Sequence, residues 1–325
     1  MAKKDAATLP GHCQRKPLIS VILPIDNGQP YLADAVTSIQ RQTVDDFELL
    51  AIDDQSTDGS TAYLNSVAQD DPRLRIISNP KKCLVGALNL GLRIAQGEFV
   101  ARIDADDMSS PTRFERQLNF LNANPTIAVL GCSLTLIDGA GHQIGEVDYP
   151  TEPAQIHQAL EHMDCAIAHS SVMARRSALS LVGGYREAFR YAEDYDLWLR
   201  VTESYKVANL GERLAFYRSH GKNVSSVYRY EQRLATHIAL LCARERRLGH
   251  ADPIGELEKL NLADLLRFDL DEGERAKIIS SVLNAAPARA RGDNSRLSTV
   301  FRKLVRHVIL AAHRKTKRIL SSPPL

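Results

Sequence analysis

Residues 98–107 read EFVARIDADD, and this short stretch sets the architecture. An apolar run, 98–103, ends in three carboxylates, Asp104, Asp106 and Asp107, within four residues. Apolar runs of this length, bounded by turn residues, read as buried strands. A helical pattern at 84–95 precedes the run, with Gly97 where a helix is expected to stop. Pro111 then opens another helix, with Phe114, Leu118 and Leu121 on one face. On the N-terminal side the same unit repeats. Residues 18–23 (LISVIL) form a buried strand that stops at Pro24, and 31–42 place Leu32, Val36 and Ile39 at helical spacing. Residues 47–52 (FELLAI) form a second strand, followed at once by Asp53 and Asp54. Residues 56–59 (STDG) supply turn and capping chemistry for a helix to about residue 68, and 74–77 form a short strand. This βαβαβαβα rhythm predicts an α/β fold with a Rossmann-like, mostly parallel central sheet and flanking helices. Such sheets bind ligands beyond the carboxyl ends of their strands. Asn27, Asp53, Asp54 and the 104–107 carboxylates all follow strand ends, so the topology can bring them to one crevice.

The second half is less regular. A strand is expected at 127–132, a hairpin turn at 138–141 (DGAG), short strands at 172–174, 207–210 and 214–217, and a helix at 195–203. After about residue 228 the chain turns helical and richly charged.

Composition narrows the class. The 325 residues are 44 % apolar and 25 % charged, ordinary for a globular protein and unlike disordered, collagenous or coiled-coil chains. No run approaches the ~18 consecutive apolar residues of a membrane helix. The N-terminal MAKKDAATLPGH lacks the apolar core of a secretory signal. The cysteines (Cys13, Cys83, Cys132, Cys165, Cys242) are scattered and form no CxxC, which fits reduced thiols in the cytoplasm better than disulfides or a zinc site. The net charge of +2 hides an asymmetry. Residues 286–325 hold ten Lys/Arg against Asp293, a net +9 that leaves −7 for the rest.

The acidic clusters carry the chemistry. Carboxylates as close as Asp104, Asp106 and Asp107 repel one another unless a cation compensates, and hard divalent ions share such oxygens with phosphates. The cluster reads either as a metal site or as a solvated loop. Asp54 reads either as an acceptor for a base or ribose or as a turn residue. In 191–200 (YAEDYDLWLR), Asp194 reads either as a general base or as a helix cap. No GxGxxG follows the first strand and no GxxxxGK[ST] occurs, which counts against a nicotinamide dehydrogenase and a P-loop NTPase.

Taken in order, SVILPIDNG, FELLAIDDQSTDGST, GALNLGLRIAQGEFVARIDADD, HSSVMARR, VGGY and AEDYDLWLR resemble family 2 glycosyltransferases of the GT-A fold, over about residues 18–226. The resemblance implies inverting transfer of a sugar from a nucleotide diphosphate, usually UDP, to a hydroxyl of a carbohydrate or lipid-linked acceptor. It implies a divalent cation, Mn²⁺ or Mg²⁺, on Asp106 with His220, and donor contacts from Pro24, Asn27, Asp54, Asn89, Asp104 and Ala105. Asp194 matches the catalytic base, and His169, Ser170, Gly184, Tyr185, Glu193 and Trp198 fall around the sugar and acceptor. Two positions depart from the pattern. Asp26 stands where an aromatic is frequent, and no arginine directly precedes Asn89, which leaves Lys81 or Lys82 to face the diphosphate. The competing readings are a non-catalytic nucleotide-sugar-binding relative and a nucleotidyltransferase-like enzyme. The latter needs a Gly-rich loop where this chain has PIDNG. The expected organisation is an N-terminal tail (1–17), a catalytic unit (18–228) and a basic helical extension (229–325). Within the extension, 300–320 form an amphipathic pattern with one basic face, suited to an anionic membrane surface on the inner face of the cell membrane or to docking on the body. No nucleic-acid-binding signature is present.

Overall fold

The computed structural model describes residues 16–81, 83–220, 227–255 and 257–285. The tail 1–15, Lys82 and the basic segment 300–320 lie outside the described residues.

The first half alternates as the apolar runs predict: β1 (Ile19–Ile25), α1 (Leu32–Gln40), β2 (Phe47–Asp53), α2 (Ser60–Asp70), β3 (Leu74–Ser78), α3 (Leu84–Ile94) and β4 (Phe99–Arg102). β1 lies between β2 and β4, parallel to both, and β3 extends the sheet beyond β2. The period of two along β1 sorts the core. Ile19, Val21, Leu23 and Ile25 join the apolar cluster of α1 on one face, while Ile22 joins that of α3 on the other.

Two sequence expectations change in this half. β1 does not stop at Pro24 but runs through it to Ile25, and Pro24 is buried in the sheet rather than placed in the loop. Ile25 accepts from Asp54 N–H, just past β2, and Ile22 accepts from Ile103 N–H, just past β4, so alternate residues face opposite neighbours. The N–H that Pro24 lacks falls on the β4 side, beyond the last rung of that ladder, where its loss is tolerated. Gly97 does not cap α3, which ends at Ile94. A Cβ there would meet Ser20 N at 2.6 Å, so glycine is required for the close approach to β1.

The second half comprises β5 (Met108–Ser109), α4 (Arg113–Ala123), β6 (Ile127–Ile137), β7 (Gln143–Val147), α5 (Pro153–Glu161), β8 (Met173–Arg175), α6 (Arg176–Leu181), α7 (Glu193–Thr202) and β9 (Lys206–Arg218). The sheet order is β3-β2-β1-β4-β8-β6-β9-β5, with β7 also paired to β6. β8 is antiparallel to β4 and β6, and β9 is parallel to β6, so the sheet is mixed beyond β4 rather than mostly parallel throughout. The expected strand at 127–132 continues to Ile137 and turns at 138–141 into β7, as the DGAG turn predicts. The two short strands expected at 207–210 and 214–217 are one strand. Its register with β6 shifts between Leu210 and Arg213, and this bulge breaks the apolar pattern.

α8 (Arg229–Arg247) and α9 (Glu272–Asn284) follow. Leu234, Ile238, Ala239 and Cys242 of α8 and Val282 of α9 are buried in the same apolar cluster as Leu197, Trp198 and Val201 of α7. Among the described residues no helix is long and apolar enough to cross a membrane.

Candidate active site

The three carboxylates beyond β4 have different surroundings. Asp107 is buried, and both oxygens are used internally: Ser170 Oγ donates to one and Arg218 N–H to the other at 2.9 Å. Burial, with the charges of Asp104 and Asp106, raises its carboxyl well above the ordinary range. Asp107 therefore anchors the turn to the end of β9. Asp104 accepts from both terminal nitrogens of Arg102, one at 2.8 Å. Its side chain keeps 31 % exposure, yet burial raises its carboxyl to about 6, with Asp106 and Asp194 adding to the effect and Arg102 opposing it. Asp106 places Oδ2 2.8 Å from His220 Nε2. The His220 ring stacks on Tyr31, and Arg218 lies over the same tyrosine while donating to the Asp106 carbonyl at 2.9 Å.

The loops after β1 and β2 are knitted together beside this turn. Asn27 has a left-handed φ of 56°, accepts from Thr57 N–H at 2.9 Å and donates its own N–H to Ser56 Oγ. Asp53 accepts from Ser56 N–H and Thr61 Oγ1. Asp54 is buried, with Oδ1 held 2.6 Å from Asn79 Nδ2. A Cβ on Gly28 would lie 3.4 Å from the Ala105 Cβ, so the β1 loop abuts the 104–107 turn. Asp26 is exposed and accepts from Asn27 Nδ2. Lys81 is ion-paired with Glu187.

The opposite wall is built on α3 and α7. Asn89 Nδ2 donates to Tyr185 O at 2.8 Å while its Oδ1 accepts from Tyr185 N–H at 3.0 Å. This seat needs a glycine before the tyrosine: Gly184 has φ +67°, and a Cβ there would meet Asn89 Oδ1 at 2.8 Å. Tyr185 Oη lies 2.8 Å from His169 Nε2, and His169 meets the Trp198 ring edge-on at 5.8 Å. Glu193 and Asp194 occupy the first turn of α7. Burial raises the Asp194 carboxyl above its usual value, offset in part by the Tyr195 N–H and the Arg102 charge. Burial and the Asp194 charge push Glu193 up to about 7. Glu193 Oε2 and Trp198 Nε1 are buried and have no hydrogen-bond partner among the described residues. Buried polar atoms without a partner are rare in folded proteins. Asp194 and Trp198 line a cavity of 730 Å³ that reaches α5, α8 and α9.

The family model for glycosyl transferase family 2 matches residues 20–180. A glycosyltransferase of Haemophilus influenzae that is itself uncharacterized is 31 % identical over 278 residues, covering 82 % of this chain and 84 % of its own. The chain belongs to glycosyl transferase family 2. This glycosyltransferase is also 32 % identical over 214 residues to the O-antigen biosynthesis glycosyltransferase WbnJ of Escherichia coli, covering 63 % of this chain and 81 % of that one. Its fold is that of S. aureus TarS 1–349 in complex with UDP-GlcNAc, with a TM-score of 0.56 at 17 % identity, covering 85 % of this chain and 74 % of that one.

The donor set of this glycosyltransferase fits a divalent cation. Oxygens of Asp104, Asp106 and Asp107 lie within 4.8 Å of one another. Asp104 and Asp107 are engaged by Arg102, Ser170 and Arg218, while Asp106 Oδ2 lies against His220 Nε2, and these two side chains could hold such an ion. Carboxylate oxygens suit Mg²⁺ and Mn²⁺. Sequence reasoning missed Arg102, Arg218 and Asn79. Arg102 had a signal, a charge within the apolar run 98–103, whereas Arg218 falls one residue past the expected strand 214–217; both are buried (5 % and 1 % exposed). Asn79 had none, because an asparagine after a strand reads as an ordinary turn residue.

Proposed function

We propose that this glycosyltransferase inverts the anomeric centre as it moves a sugar from a UDP-linked donor to a hydroxyl of a carbohydrate or lipid-linked acceptor. One observation carries the reading: Ser170 bonds Asp107 of the acidic turn beyond β4 while its neighbour His169 packs edge-on against Trp198 of α7, so the turn and the helix that begins with Asp194 border one site. Asp106 and His220 hold the divalent cation, Mn²⁺ or Mg²⁺. When bound, the ion supplies positive charge to the departing diphosphate. Asp54, fixed by Asn79, accepts from the base, while Asn27 and Asp104 flank the ribose. Asp194 accepts the proton of the attacking hydroxyl. A carboxyl raised by burial is a better proton acceptor than an ordinary aspartate. Attack from the face opposite the diphosphate inverts the anomeric carbon in one displacement and needs no covalent sugar–enzyme intermediate. His169, Tyr185 and Trp198 shape the sugar side, where Glu193 Oε2 and Trp198 Nε1 offer an acceptor and a donor to sugar hydroxyls.

The O-antigen relative supports a place in surface polysaccharide, lipopolysaccharide or glycoconjugate synthesis, and the UDP-GlcNAc bound to TarS supports the nucleotide. A part in synthesis of this kind fits an enzyme of the cytoplasm that works at the inner face of the membrane. Thermal shift with Mn²⁺ against UDP, GDP and a panel of their sugars tests the donor reading. UDP compounds should raise Tm, GDP compounds should not, and Asp106→Asn should remove the dependence on Mn²⁺. A protein that responds to no nucleotide contradicts the reading.

A further inference from the structure

The arginines of α8 divide into two sets. In its C-terminal half each is tied to the body: Arg244 to Glu274, Arg246 to Glu203 and Asp252, Arg247 to Glu161. In its first two turns, Arg229 and Arg233 are exposed and form no ion pair among the described residues. They stand four residues apart, on the same helix face, where like charges repel. Both line the 730 Å³ cavity whose inner wall carries Asp194 and Trp198. The lining also holds an exposed acid, Asp164, yet neither arginine closes on Asp164 or Asp194. Gln232 and Thr236 of α8 and Ser281 of α9 add polar groups to the same wall.

We infer that the acceptor carries an anionic group, a phosphate or a carboxylate, which Arg229 and Arg233 receive while the acceptor's hydroxyl lies at Asp194. The inference rests on the reading of Asp194 as the base. It gives the helical extension a role in selecting substrate. A guanidinium matches the two-oxygen face of carboxylate and phosphate better than an ammonium does. Two arginines one turn apart can receive one anion from adjacent positions. The 229–236 wall then sets which glycan enters, and the acidic turn beyond β4 sets which donor is used.

Isothermal titration on the full chain, saturated with UDP and Mn²⁺ so that the donor site is filled, tests this. The probes are glucose 1-phosphate, glucuronic acid and neutral methyl glucoside. At least one anionic probe should bind tenfold or more tightly than methyl glucoside, and the phosphate and carboxylate arms tell which group is preferred. The preference should vanish in R229Q/R233Q and return in part in R229K/R233K. Equal affinity for the three probes, no binding of any, or a preference that survives in R229Q/R233Q overturns the inference. Failure of UDP and Mn²⁺ to bind overturns the donor reading and this inference with it, whereas UDP binding without anionic preference overturns this inference alone.

Discussion

Asp194, Glu193 and Asp104 are three acids whose ionisation the fold opposes, and Arg102 is the cation that acts on all three. Because burial raises Asp194, transfer should fall on the acid side with an apparent pKa above that of an ordinary aspartate, read from the pH profile of kcat/KM. Glu193 sets a stability prediction. Its carboxyl is held at about 7 in the fold against 4.5 unfolded, so its favourable contribution is complete below pH 4.5 and is lost as pH rises through about 7. The Tm of Glu193→Gln should therefore gain on the wild type across that window. A constant Tm difference would contradict the assignment. At this scale, the carboxylates of the site were legible because three acids in four residues are conspicuous. That Asp107 is turned inward was not. That depends on Ser170 and Arg218, which lie far along the chain and occupy Asp107. Nor does sequence separate Asn89 as a ligand contact from Asn89 as the seat of Tyr185, since the bonds to Tyr185 appear only when α3 meets the 183–185 turn.

α7 is the element on which the site depends, since it carries Glu193, Asp194 and Trp198 in two turns. It is held by a buried ionic chain. Asp196, fully buried, takes Arg186 and Arg200; Arg186 also takes Asp252, which takes Arg246, which takes Glu203. Breaking such a chain strands buried charge. Asp196→Asn should cost about 3–5 kcal/mol, measured by urea denaturation. It should also lower transfer, because Asp194 lies half a turn away. A cost under about 1 kcal/mol, as for an exposed pair, would show that the chain does not hold the helix. Elements with clean periodicity were legible, including β1 to β4 and their helices. The bulged β9 was read as two strands because two inserted residues interrupt its alternation. The antiparallel placement of β8 could not be read, since three residues carry no topological signal.

At the scale of the whole molecule, sequence separates a catalytic unit from a charged extension, whereas the core does not part there. Ile238 of α8 is fully buried in the cluster that backs α7. Ile238→Ala should cost about 2–5 kcal/mol, and calorimetry should show one shifted transition. Two separate transitions would mean that the extension folds on its own. This union was hidden because α8 is rich in arginines, and charge draws attention to the exposed face of an amphipathic helix rather than to its apolar stripe. The proposed transfer depends on Asp194 acting as base across from the acidic turn beyond β4. The most direct test measures release of nucleoside diphosphate from the responsive sugar nucleotide, with Mn²⁺ and an acceptor, by wild type and Asp194→Asn. The variant should still bind UDP but lose about 10²–10⁴-fold in turnover. Turnover undiminished in Asp194→Asn would contradict it.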